Sequence, residues 1–149
     1  MKKKIRSKIP FVDCVSNVPF VKFYIHGGEE CYAILDSGSE STIFDMDFIK
    51  SHKKLFKTEI TGNKVTLVGV GTAVERPIID VSVDVSFDEV GISYPAKGHI
   101  VDLSTTKEHA KTKLGIEAVA IFGGGFLKSI GAEINYPEKT LYLNDIYSK

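Results

Sequence analysis

The chain lacks the residues that several familiar chemistries need. Cys14 and Cys31 are its only cysteines, too few for a disulfide framework and in no metal-ligand spacing, although one bridge between them is open. The four histidines, His26, His52, His99 and His109, are scattered, so no metal and no cofactor are expected. No apolar run reaches the ~20 residues of a membrane helix. Charge of one sign is missing too: 19 Lys and Arg balance 19 Asp and Glu, leaving no net field to draw the chain to nucleic acid or a membrane surface. Neither is expected as a partner. Gly69-Val70-Gly71 has no third glycine after it, and Gly123-Gly124-Gly125 no Lys-[Ser/Thr], which argues against dinucleotide and phosphate loops.

What is present is one domain's worth of sequence. Its 149 residues are 43% hydrophobic, enough to bury a core, with no repeat, linker or low-complexity segment to divide them. The lysine-rich start from Met1 to Lys8 mimics a signal peptide, but Pro10 and Asp13 interrupt the apolar stretch that would follow. Residues 1–10 are therefore expected as a flexible basic tail and residues 11–149 as a single cytoplasmic domain.

Strand patterns dominate. Val18 to Ile25 is β-rich, and His26-Gly27-Gly28 offers a turn into the apolar run ending at Leu35. Asp45 is an N-cap candidate for a short helix through Lys50. Gly62-Asn63 reads as a turn into Lys64–Val68, and Gly69 to Gly71 as the tip of a hairpin returning through Ala73 and Val74. Ile79 to Phe87 alternates apolar residues with Asp80, Ser82, Asp84 and Ser86, predicting a strand with one wet face. Another strand centres on His99 to Val101, and Ser104 caps a polar, helix-like stretch through Lys113. Ala118 to Phe122 has the composition of a buried strand, Phe126 to Ile130 suits a short helix, and Ala132 to Leu143 reads as a hairpin about Pro137-Glu138-Lys139.

At the centre of these stands Cys31 to Asp45, where Ala33-Ile34-Leu35 delivers Asp36 into the loop Asp36-Ser37-Gly38. A carboxylate between two core-bound strands is costly unless paired or functional, which makes Asp36 a candidate for chemistry. The same triplet alone also makes an ordinary Asx turn.

Taken together, Ile34-Leu35-Asp36-Ser37-Gly38, the glycine-tipped Val68-Gly69-Val70-Gly71 and Ile121-Phe122-Gly123 before Phe126-Leu127 occur in the order found in the retropepsin-like aspartic proteases, which this chain resembles from Phe20 to Leu143. The resemblance implies a mainly β fold, a closed antiparallel β-barrel of the acid-protease type with one or two short helices. It also implies an aspartic endopeptidase. Asp36 would be the catalytic carboxylate, Ser37 would brace paired loops with its hydroxyl, and Gly38 would leave room for them. Ser39, Glu40 and the flap residues Gly69, Val70 and Gly71 would bind substrate, with Ser39 donating to the carboxylate.

The chain has one Asp-[Ser/Thr]-Gly, so the second carboxylate of such a dyad must come from another copy, and a C2 homodimer acting on peptide or protein is implied. Phe11-Val12 and Leu141-Tyr142-Leu143 are candidate strands for its pairing. Gly124 and Gly125 replace residues whose side chains usually tie the following helix to the active loop. They support the alternative of a catalytically inactive dimeric peptide-binding module on the same fold.

Overall fold

The computed structural model describes residues 3–15, 18–25, 29–68, 73–87 and 93–148. Strands β1 (Lys3–Pro10), β2 (Asp13–Val15), β3 (Val18–Ile25) and β4 (Glu29–Asp36) lead to the central triplet. After it come β5 (Thr42–Asp45), α1 (Met46–Ser51), β6 (Lys57–Val68), β7 (Ala73–Ser86) and β8 (Tyr94–Val101). The chain continues through α2 (Ser104–Leu114), β9 (Ala118–Gly123), α3 (Gly124–Ser129), β10 (Ala132–Asn135) and β11 (Thr140–Ser148).

Six strands form a closed barrel. Their order is β3-β4-β9-β5-β8-β7, and β7 returns to β3 through Tyr24↔Ser86 and Ile25↔Val85. β2 and β6 extend the sheet beyond the ring. The barrel is mainly antiparallel as expected, but β4–β9 and β5–β8 run parallel. Parallel neighbours need long crossovers, which the stretches between these strands supply. Three helices, rather than one or two, lie among the described residues.

Val81, Val83 and Val85 point inward and Asp84 is exposed, as the alternation predicts, but Ser86, expected on the wet face, is buried where β7 closes the barrel against Tyr24 of β3. At the core's centre the Phe122 ring packs on Phe23 at 5.0 Å, Phe126 at 5.0 Å and Phe87 at 6.0 Å. Tilted and edge-on contacts of this kind suit the ring quadrupole. Gly62-Asn63, expected as a turn, lies inside β6, where the register with β7 shifts between Ile60 and Lys64. A bulge absorbs the glycine without ending the strand. β6 and β7 pair up to Val68↔Ala73; the tip at Gly69, Val70 and Gly71, and the turn at His26-Gly27-Gly28, lie outside the described residues.

A smaller sheet has the order β1-β11-β10. From Lys3 onward the expected tail is a strand, with Ser7↔Leu143 and Ile9↔Leu141 in register. Lysines masked its period of two: Lys8 is exposed and Ile9 buried, joining Leu141 and Leu143 in the main core. Leu141-Tyr142-Leu143 is therefore not a free edge, because β11 is paired on both sides.

Asp45 caps α1, as its position predicts, and does more. Fully buried, it accepts from Phe48 N at 3.2 Å, from Leu103 N at 2.9 Å and from Lys107 Nζ at 2.7 Å. That hydrogen bond holds the Lys107 ammonium above its ordinary pKa against the opposing effect of burial. Ser104 is not the cap of α2: Leu103 stands there, and the Asp102 carboxylate accepts from Ser104 N at 2.9 Å. No helix among the described residues is long and apolar enough to cross a membrane.

Replacing Asp45 by Ala strands two backbone donors and leaves the Lys107 ammonium with the looser pairs to Asp47 and Glu117, each at 3.8 Å, so Asp45→Ala is expected to cost about 3 kcal/mol in urea unfolding. An unchanged midpoint would refute this role. Cys31 is free and buried, and burial, with Glu29 and Glu30 adding to it, pushes its thiol up to about 12. Iodoacetamide at pH 8 should therefore label Cys31 readily only after denaturation, as peptide mass mapping would report.

Candidate active site

The carboxylate is placed by contrast along one strand. Ala33, Ile34 and Leu35 are buried in β4, and Asp36, at its last position, is exposed. The chain then turns within hydrogen-bond distance of itself: Ser39 N donates to the Asp36 carbonyl at 3.1 Å, and Gly38 N to Asp36 Oδ1 at 3.1 Å. The Asx turn and the candidate catalytic loop are thus the same structure. Ser37 and Gly38 are exposed beside Asp36, and no described residue bonds to Oδ2.

Parallel pairing of β4 with β9 sets Asp36 level with Gly123. Here the triple glycine meets the loop. Gly123 N donates to Thr42 Oγ1 at 3.1 Å, Gly124 N to the Ser39 carbonyl at 2.5 Å and Gly125 N to the Glu40 carbonyl at 3.3 Å. Backbone donors thus tie α3 to the loop where Gly124 and Gly125 offer no side chain to do it. A Cβ on Gly123 would lie 2.8 Å from the Ser39 carbonyl oxygen and closer still to that of Ser41; one on Gly124 would lie 2.9 Å from the Ser37 carbonyl oxygen. Both contacts are tighter than real Cβ atoms tolerate, so only glycine permits this approach.

Among the other sequence candidates, Ser39 differs from expectation: its hydroxyl donates to the Ser41 carbonyl at 2.9 Å and not to the Asp36 carboxylate. Glu40 is exposed and lines a pocket of about 360 Å³ whose far wall carries Asp80, Lys97 and His99. Sequence reasoning missed this trio. The alternation predicts Asp80 on a wet face, but β7–β8 register sets it opposite His99, and His99 Nδ1 lies 2.9 Å from Asp80 Oδ1. The alternation was the available signal; the pairing partner was not. Among the described residues, no group of three or more His, Cys, Asp or Glu is placed to hold a metal.

Mainly β with a closed six-stranded barrel and a few short helices, the chain has the retropepsin-like fold. Solved structures that share it include the following two. A retropepsin-like aspartic protease from Rickettsia conorii aligns with a TM-score of 0.57 at 12% identity, covering 97% of this chain and 93% of that one. The retroviral protease-like domain of Ddi1 from Leishmania major aligns with a TM-score of 0.53 at 16% identity, covering 86% of this chain and 89% of that one. No protein-family model and no curated protein matches the sequence.

The close approach at Gly123 makes a testable demand. Gly123→Ala should cost about 2 kcal/mol or more, because backbone rather than a flexible side chain must move, whereas Gly125→Ala, whose Cβ would sit 3.0 Å from the Glu40 carbonyl oxygen, should cost less. Thermal unfolding of the two variants side by side checks the order. Ser39→Ala removes a loop hydrogen bond and should lower stability by about 1 kcal/mol.

Proposed function

We propose that this protein is an aspartic endopeptidase, active as a C2 homodimer in which each chain contributes Asp36. The observation that carries the reading is a carboxylate exposed at the end of a buried strand, with Oδ1 bonded to Gly38 N and a loop fixed from behind by Gly124 and Gly125. Preorganisation of this kind suits a group that must act on a substrate rather than support the fold.

Across the two-fold axis the paired carboxyls would share one proton. The ionised one takes a proton from a water as it attacks the scissile carbonyl carbon, while the protonated one donates to the carbonyl oxygen. Collapse of the resulting tetrahedral species, with proton transfer to the leaving nitrogen, releases two peptides. Ser37 would brace the facing loop, and Gly38 keeps that approach open. Ser39 and Glu40, together with the flap candidates Gly69, Val70 and Gly71, would hold the peptide in an extended form.

A face for the partner adjoins the loop. Ser37 and Gly124 border a groove of about 450 Å³ whose walls include Leu127, Ile134 and Tyr136. Tyr136 is 49% exposed, as is 42% of Val12. The rival reading of an inactive peptide-binding module rested on the missing side chains at Gly124 and Gly125. The backbone bonds from those residues supply the bracing and weaken that objection.

Cleavage of a mixed peptide library by the natural chain should rise with the dimer fraction across a concentration series, and Asp36→Asn should lower it by at least about a thousandfold. Peptide binding without cleavage by a well-folded dimer would move the function to the inactive module. A chain that stays monomeric at every concentration would remove the mechanism.

A further inference from the structure

The pocket beside Glu40 is built for more than bracing a loop. Its volume, about 360 Å³, is bounded by Glu40, Ser41 and Thr42 on one side, the β7–β8 pair on another and the start of α3 on the third. Gly98 and Gly125 leave the space open, and Phe126 and Pro95 give it apolar surface. Its charge is arranged, not scattered. The Asp80 side chain is 14% exposed and is oriented by His99 Nδ1 on Oδ1, which turns Oδ2 toward Lys97 Nζ at 3.8 Å. The Lys97 side chain is 69% exposed and makes only a loose pair, which a better-seated cation would displace. The Glu40 side chain, exposed on the opposite wall, adds a second carboxylate to the lining.

We propose that this pocket receives the side chain of a lysine or arginine in the bound peptide. The aliphatic stem would lie against Phe126 and Pro95 while the cationic head sits between the Asp80 and Glu40 carboxylates. Long basic side chains bind in this way, with an apolar stem and a charged tip. The location follows from the chain: Glu40 is four residues beyond Asp36, so a peptide aligned along the loop passes the pocket's mouth. The proposal rests on the protease reading for that alignment, and it makes Asp80 a specificity-determining residue.

Two measurements test it. In the first, library cleavage by the natural chain is sequenced. Enrichment of Lys or Arg at one fixed distance from the scissile bond is expected, with kcat/KM for such peptides falling about tenfold in Asp80→Asn. Peptides carrying norleucine there should lose less than the lysine peptides do in that variant, and an equal loss for both overturns the charge pairing. Cleavage with no basic preference at any position overturns the subsite and leaves the protease reading standing. In the second, a capped pentapeptide with central lysine is titrated into Asp36→Asn while the His99 ring resonances are followed by NMR. Saturable shifts, absent with the norleucine peptide and lost when Asp80→Asn is added, support the pocket even if no cleavage is ever seen. An unmoved His99 overturns it.

Discussion

Backbone meets backbone where the Asp36 loop rests on the start of α3, and the rest of the site depends on that contact. Gly124 N and Gly125 N donate to the carbonyls of Ser39 and Glu40, and the segments lie too close for a Cβ on Gly123 or Gly124. Side-chain braces have rotamers to lose and can swing away; peptide donors inside a strand-to-helix junction cannot. The position of the carboxylate is therefore set by barrel register, through Asp36↔Gly123, and not by a local network of polar side chains.

The far end of the loop is held by different chemistry. Thr42 is buried and takes the Gly123 N–H, and three residues on, Asp45 joins β5 to α1, to the Leu103 backbone and to Lys107 of α2. A buried charge satisfied on three sides fixes geometry at the cost of desolvation. Between these anchors the short span from Asp36 to Ser41 is exposed or half-buried. Such division of labour, a stiff scaffold and a brief exposed connection, is the usual way a loop acquires function.

Much of this was legible in the residues. Ala33-Ile34-Leu35 and Ala118 to Phe122 read as buried strands because apolar composition needs no knowledge of partners. Asp45 read as a cap because capping is local. The failures were of another kind. Gly124 and Gly125 looked like a loss of bracing, since a sequence displays side chains and hides backbone donors. Residues 3–10 looked like a tail because lysines obscured the inward Ile9. The Asp80–His99 pair depends on register between strands, and the Ser39 hydroxyl on which of two nearby acceptors the turn brings closer. Parallel β4–β9 pairing joins segments far apart in the chain and leaves no local mark.

The smaller sheet carries one more consequence. β11 has β1 on one side and β10 on the other, all from the same chain, so its hydrogen bonds are satisfied without a neighbour. A protein that lends its central strand to a partner folds only as it assembles. Here β11 is not a strand left to be shared, and in the proposed pairing any sheet that crossed the two-fold axis would have to grow from β1 or β10, which have a neighbour on one side only among the described residues.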